Sequence, residues 1–295
     1  MKKFSINFLA IFIVTLASCK KDTTSVLTTA PIGSANALFT PVATPPTNEN
    51  DSTLLMGNPS QASATSDNNY LLREGYYSVS YNCQYGRPNW VSWHVVSSDY
   101  GSQARLDNFR ENPNVPLGCN AITPQGYSSS GFDKGHMCPS ADRTSSFNAN
   151  SSTFLMTNII PQAPNNNQQR WARLEDECRT LVQANNEVYI ISGVYGEGGI
   201  GSNGFVTTLD NGRVTIPAYL WKVIVVIPFG KDDLNRVNNS TRVISVLMPN
   251  DNTASTDWKQ FRTTVDDIET QTGYDILSSV PIGIQTIIES RVDTL

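Results

Sequence analysis

An α+β fold is the architecture this sequence predicts, and three patterns predict it. Runs rich in β-branched and aromatic residues recur between turn-forming clusters: Trp90–Val96, Glu187–Ser192, Tyr219–Pro228 and Val243–Met248. One stretch, about Asn167 to Ala184, has a helical period instead. There Trp171, Leu174, Cys178, Leu181 and Val182 recur at spacings of three and four and form one apolar stripe. Asp210-Asn211-Gly212, between Phe205–Leu209 and Val214–Ile216, reads as a hairpin turn, so the strands pair mainly antiparallel around one strong helix.

The chain opens with Lys2 and Lys3, an apolar run from Phe4 to Leu16, and Ala17-Ser18-Cys19. This is the layout of an export signal, and the run is too short for a spanning helix. Leu16-Ala17-Ser18-Cys19 also resembles the bacterial lipobox. That resemblance implies a signal peptide over residues 1–19, lipidation of Cys19, and anchoring to the bacterial cell envelope, periplasmic or at the cell surface. An ordinary cleaved signal and secretion is the alternative. Residues 20–69 are rich in Ser, Thr, Pro and Asn, nearly lack aromatics and carry no hydrophobic period. Such a segment cannot offset its ordering entropy by burial, so a disordered tether is expected there. Aromatics begin abruptly at Tyr70, and residues 70–295 suffice for one domain with a substantial core.

The formal net charge is −5. That excludes a protein that coats polyanions through a generally basic surface, but it allows a local groove built from a few arginines. Four cysteines remain beyond Cys19: Cys83, Cys119, Cys138 and Cys178. An even count in an exported chain points to two disulfides, and the absence of a C-x-x-C spacing argues against structural zinc. Gly199-Ile200-Gly201-Ser202-Asn203-Gly204 matches the dinucleotide fingerprint G-x-G-x-x-G, but a hairpin pattern follows it where a helix is required. Ala104–Glu111 reads as short helix or irregular chain, Thr153–Asn158 as a further strand, and Asp257–Thr270 as mixed helical.

Two polar clusters stand apart from this frame. Asp133-Lys134-Gly135-His136 puts a carboxylate, an ammonium, a glycine and an imidazole in four positions, and holds one of only two histidines. The other, His94, lies inside an apolar strand and reads as a packed side chain. The second cluster runs from Asn158 to Glu175. At about 100° per residue, Asn167 projects onto the centre of the helix stripe and Glu175 lies about 80° away. Either an amide and a carboxylate border the inward face and need a partner, or Asn167 is an N-cap and Glu175 a surface carboxylate. Helix geometry alone leaves both readings open. A lone imidazole suits general-base work near neutral pH, and an amide oxygen suits a hard cation. Cys138, two residues past His136, is a candidate thiol–imidazole partner, but oxidation is the expected fate of an exported thiol. Cys178 lies on the core-facing stripe of the helix. Four cysteines allow three pairings, and the hypothesis is Cys138–Cys178, which would clamp the histidine segment to that helix and leave Cys83–Cys119.

Asp133-Lys134-Gly135-His136 with Pro139 three residues on resembles the D-R-G-H-x-x-P signature of the DNA/RNA non-specific endonucleases, of the ββα-metal (His-Me finger) superfamily. Thr157-Asn158-Ile159-Ile160-Pro161-Gln162, then Asn167, then Trp171-Ala172-Arg173-Leu174-Glu175, is similar to that family's second motif in order and spacing. The resemblance implies a ββα-metal core in a mainly antiparallel sheet, and sugar-non-specific cleavage of DNA and RNA phosphodiesters bound through the phosphate backbone. It implies His136 as general base and Asn167 as the single protein ligand of a hydrated Mg²⁺, with Mn²⁺ as the alternative ion. It further implies Glu175 as the helix carboxylate beside the ion, Arg179 and Arg105 as phosphate contacts, Asn158 and Gln162 as site-shaping, substrate-side residues, and Asp133 as an orienting group. Gly135 would let a phosphate approach closely. Lys134 departs from the family's arginine and loses its bidentate fork. The rival expectations are a surface lipoprotein that binds nucleic acid or another polymer without cutting it, and a narrower phosphodiesterase.

Overall fold

The computed structural model describes residues 53–119 and 121–295. The expected signal peptide, the lipidation of Cys19 and the tether up to residue 52 lie outside the described residues. In chain order the strands are β1 (Tyr70–Arg73), β2 (Ser78–Asn82), β3 (Arg87–Val95), β4 (Asp133–His136), β5 (Ile159–Gln162) and β6 (Asn186–Tyr195). They continue with β7 (Gly199–Gly201), β8 (Gly204–Val206), β9 (Thr208–Leu209), β10 (Val214–Thr215), β11 (Tyr219–Pro228) and β12 (Arg242–Pro249). The helices are α1 (Phe147–Ser152), α2 (Ala172–Gln183), α3 (Asp233–Arg236), α4 (Val265–Thr272) and α5 (Ile282–Ile288).

A six-stranded antiparallel sheet, in the order β1-β2-β3-β6-β11-β12, is the frame. Successive side chains of a strand point to opposite faces. Along β11, Leu220, Ile224 and Val226 enter one apolar cluster while Trp221, Val223 and Val225 enter another. Burial on both faces is why β6 and β11 are continuous apolar runs rather than alternating ones. On one face Trp171, just before α2, and Leu174, Cys178 and Val182 of α2 share a core with Trp93, Ile190 and Ile224. On the other, α4 and α5 bring Val265, Ile268 and Ile288 against Trp90, Ile191 and Val225. The mixed helical reading of Asp257–Thr270 covers most of α4, but α5 was not anticipated.

The expected hairpins form. β7 pairs with β8 across Gly201 and Gly204, so the G-x-G-x-x-G match is a turn, and β9 pairs with β10 around Asp210–Gly212. Three expectations are corrected. First, the tether does not extend to residue 69. Met56 and Ala62 are buried in the far-face core, Trp90 Nε1 donates to Ser60 Oγ (2.7 Å), and Ser92 Oγ donates to the Thr53 carbonyl (2.6 Å). Few apolar residues are needed because polar side chains carry the docking: Asn58 and Asn69 hold the local turns by hydrogen bonds. Second, Thr153–Asn158 is not a strand. The chain turns there, and the strand is β5, starting at Ile159. Third, the long helix does not open as an α-helix. Asn166–Trp171 is a π turn that runs into α2.

β4 and β5 form their own two-stranded antiparallel pair, with Asp133 opposite Gln162 and His136 opposite Ile159. Pro161 has no N–H to give a ladder, and a two-stranded pair tolerates it. The order β4, β5, π turn, α2 is a ββα unit laid on one face of the sheet, where Met137, Cys138 and Ile160 share a cluster with Trp171 and Leu174.

Candidate active site

Lys134 and His136 are two apart on β4 and share a side of it. Both meet the same ring: Lys134 Nζ lies 5.0 Å from the Phe109 centroid and His136 is 5.3 Å from it, centroid to centroid. Phe154 packs edge-on against His136 at 4.9 Å, and the Arg105 guanidinium lies 5.0 Å over the same Phe154 ring. Arg105 also donates to Ser140 Oγ (3.0 Å) and pairs with Asp107 (2.6 Å). Phe109 and Phe154 also meet edge to face at 4.9 Å, so the imidazole is one corner of a three-ring cluster with two cations at its rim. Its Nε2 is buried and has no hydrogen-bond partner among the described residues. Burial, reinforced by the Arg105 charge, pushes the imidazole down to about 3. It is neutral at working pH, with a lone pair free to take a proton.

On the next residue the chemistry changes. Asp133 Oδ2 accepts from Asn167 Nδ2 and from Gln168 Nε2, each at 2.8 Å. The Asn167 amide nitrogen is committed to a carboxylate, so its oxygen is the end left for another partner. Asn167 is half-buried, and it is Asn166 that is fully buried, donating to the Pro249 carbonyl. An α-helical projection had put Asn167 at the centre of the inward stripe. A π turn advances less per residue than an α turn, so the positions before Trp171 are rotated relative to that projection. Asn167 does not cap the helix either, since its own N–H bonds to the Ala163 carbonyl.

In the same turn Arg170 is wholly buried. Its guanidinium donates to the carbonyls of Pro249, Asp251, Ala254 and Ser255 and so ties the loop after β12 to the start of α2. Asn250 completes the tie, accepting from Ala163 N and donating to the carbonyls of Pro161 and Pro217.

Glu175 is 14% exposed and lies 3.7 Å from Lys222 Nζ, a fully buried ammonium that also sits 4.1 Å over the Trp171 ring. Burial pushes the Glu175 carboxyl up to about 7, even though Lys222 pulls it down. The surface reading of Glu175 is therefore excluded. Arg179 is held by two carboxylates, Asp142 (3.3 Å) and Asp176 (2.6 Å), and Asp142 also accepts from Trp93 Nε1.

Asn158 and Gln162 were expected to face a substrate, and both are fully buried. Asn158 accepts from Cys138 N and donates to the carbonyls of Cys138 and Thr153. It fixes the chain just past His136 and acts on the site only through that backbone. Gln162 lies over Gly135: a Cβ at Gly135 would stand 2.2 Å from Gln162 Oε1 and 2.6 Å from its Cβ. Gly135 is required by this side chain and not, as expected, by an approaching phosphate. Cys83 and Cys119 are bonded, Cα to Cα 5.0 Å. Cys138 and Cys178 are free, against expectation. Both thiols lie in the α2 core cluster. Both side chains are buried among apolar residues of that cluster, and Asn158 holds the Cys138 backbone from either side. Burial pushes the Cys178 thiol up to about 12 and Cys138 higher still, so neither is a thiolate nucleophile. His94 is the packed residue it was read to be, stacked on Tyr189 and bonded to Glu187 at 2.9 Å.

Lys222, Asp142, Phe109 and Phe154 were missed in the sequence. Lys222 alone left a signal, as the one charge inside the apolar run Leu220–Ile227.

A family model described as DNA/RNA non-specific endonuclease matches residues 58–282. The chain belongs to the DNA/RNA non-specific endonuclease family. This nuclease is 45% identical over 242 residues to a protein named Nuclease from Nostoc sp., covering 81% of its own chain and 85% of that one. It is 34% identical over 153 residues to the mitochondrial nuclease EXOG of Danio rerio, covering 50% of its own chain and 44% of the relative. A crystal structure of the EndoG/EndoGI complex contains a chain of the same fold, with a TM-score of 0.60 at 21% identity over 72% of this chain and 86% of that one. The family is metal-dependent, and two features of the nuclease's own site fit a hard divalent cation. The Asn167 oxygen is the free end of an oriented amide, and Glu175 is a carboxyl whose charged form burial disfavours and a cation would favour.

Proposed function

We propose that the chain hydrolyses the phosphodiester bonds of both DNA and RNA, with His136 as general base and Asn167 as the protein ligand of a Mg²⁺ ion, or of Mn²⁺ in its place. The hydrogen bond from Asn167 Nδ2 to Asp133 carries this reading, because it ties the π turn after β5 to the histidine strand β4 and leaves the amide oxygen as the end open to a cation. Glu175 is the carboxylate on the same helix. When bound, a hard cation neutralises charge at the phosphoryl oxygens and at the leaving oxygen. The chain's own residues do the rest. His136, neutral and unpartnered, takes the proton of the attacking water. Lys134, Arg105 and Arg179 offer positive charge to the phosphate, with Lys134 as a point charge where a fork is usual. Asp133 keeps the amide oriented, while Asn158 and Gln162 hold the two strands in shape. Binding is directed to the backbone, so sugar and base do not select the substrate.

Digestion of plasmid DNA and of RNA with Mg²⁺, beside His136→Ala and Asn167→Ala, tests this. Both substrates should be cut, and both variants should lose at least about 10²-fold. A wild type inert with every divalent metal, or a fully active His136→Ala, refutes the mechanism.

We further propose that residues 1–19 are a lipoprotein signal and that Cys19 carries the lipid that holds the domain at the bacterial cell envelope, through a tether that ends before residue 53. Metabolic labelling with a fatty acid should mark the wild type and leave Cys19→Ala unmarked. Secretion of an unlabelled wild type refutes the anchor.

A further inference from the structure

On the sheet face opposite α2, the end of α5 docks onto the start of α4: the Glu289 carbonyl accepts from Val265 N (2.9 Å) and Asp266 N (3.3 Å). This brings three carboxylates together. Oxygens of Asp266, Glu269 and Glu289 lie within 4.8 Å of one another. None of the three has an ion pair among the described residues. Glu289 is only 5% exposed, and its Oε1 is buried with no hydrogen-bond partner. A buried carboxylate beside two more, with no cation paired to it among the described residues, is costly while charged, and a proton or a bound cation relieves that cost.

We propose that Asp266, Glu269 and Glu289 bind a Ca²⁺ ion that staples α4 to α5, at a site separate from the catalytic one. The donors are all carboxylate oxygens, with no histidine or thiolate, which selects a hard cation over zinc or copper. Calcium accepts six to eight oxygens in loose geometry, so bidentate carboxylates from two helices and added waters satisfy it. Magnesium demands a tighter octahedron. Glu269 already spends Oε1 on Ile276 N (2.6 Å), so the loop before α5 is tied to the same group. The other cluster of this kind, His94 with Glu187 and Asp233, offers no such gap, because Arg236 is paired with both carboxylates.

Thermal unfolding of the chelator-treated full chain, titrated with CaCl₂ and separately with MgCl₂, tests the site in the wild type, Asn167→Ala, Glu289→Gln and Asp266→Asn. Wild type and Asn167→Ala should each rise by on the order of 5 °C at saturating Ca²⁺. Glu289→Gln should show no rise. Asp266→Asn, an exposed change that leaves folding intact, should need about 10-fold more Ca²⁺. No calcium-dependent rise in the wild type, an undiminished rise in Glu289→Gln or Asp266→Asn, or its loss in Asn167→Ala overturns the proposal. An equal rise at equal concentrations of Mg²⁺ overturns the assignment to calcium.

Discussion

Replacing Asp133 with alanine removes the one contact that decides which end of the Asn167 amide is free. In the intact protein two amides, from Asn167 and Gln168, converge on Oδ2 at 2.8 Å each. Hydrogen bonds to a charged acceptor contribute roughly 1.5–3 kcal/mol each. Without the carboxylate, the Asn167 amide is free to turn its nitrogen outward as readily as its oxygen, and a nitrogen-outward amide repels a cation. Loss of a group that orients a metal ligand typically costs about 10–100-fold in affinity, or about 1.4–2.8 kcal/mol. The half-saturating Mg²⁺ concentration for DNA cleavage should therefore rise about 10–100-fold in Asp133→Ala. The rate at saturating Mg²⁺ should stay within about threefold of wild type, because His136 and its rings are untouched. Asp133→Asn keeps an acceptor oxygen but not the charge, and should fall between. Initial rates of cleavage over a wide Mg²⁺ range decide the matter. An unchanged midpoint, or a saturating rate as low as that of His136→Ala, would show that Asp133 is not acting through Asn167.

Three further outcomes follow from the same structure. Arg170→Met leaves four carbonyls without their shared donor and should lower stability by about 3 kcal/mol, or a Tm fall of about 6–12 °C by calorimetry. Glu175, raised in the fold to about 7, favours the folded state when protonated; its contribution is full below its ordinary range near 4.5 and is lost as pH rises through 7. That loss is of order 3 kcal/mol, so denaturant midpoints of metal-free wild type should fall between pH 5 and 8, and those of Glu175→Gln should be flatter by about that amount. The Cys83–Cys119 bond closes a loop with a sequence separation of 36 residues, and a paired Cys83→Ala and Cys119→Ala variant should lose about 4 kcal/mol, measured by denaturant melts. A loss confined to Cys138→Ala would instead point to the free thiols.

The proposed site residues could be named from the sequence because each cluster is local in the chain. His136 and Asp133 share a four-residue strand, and Asn167 and Glu175 share one helical segment, so the motif spacing that carries the family resemblance proposes them, where helix geometry alone left Asn167 and Glu175 open. What failed is also local in cause. The π turn has no hydrophobic signature, because asparagines and glutamines fill it, and within it Asn166 and Arg170 are fully buried. Gln162 and Gly135 are on different strands, so the reason for the glycine appears only when β4 pairs with β5. The docking of residues 53–69 was hidden because serines and asparagines do the holding, through hydrogen bonds that composition reads as disorder.

By itself the sequence determined the α+β class, the antiparallel strands, the amphipathic helix and the two polar clusters, because periodicity and motif spacing are properties of neighbours along the chain. Only the tertiary structure decided what those clusters experience. The packing of His136 with Phe109 and Phe154, the buried Lys222 beneath Glu175, the free Cys138 and Cys178, and the carboxylates of α4 and α5 all join segments far apart in sequence. Burial and charge compensation depend on what the fold places within a few ångströms, and no pattern along one strand or helix contains that information.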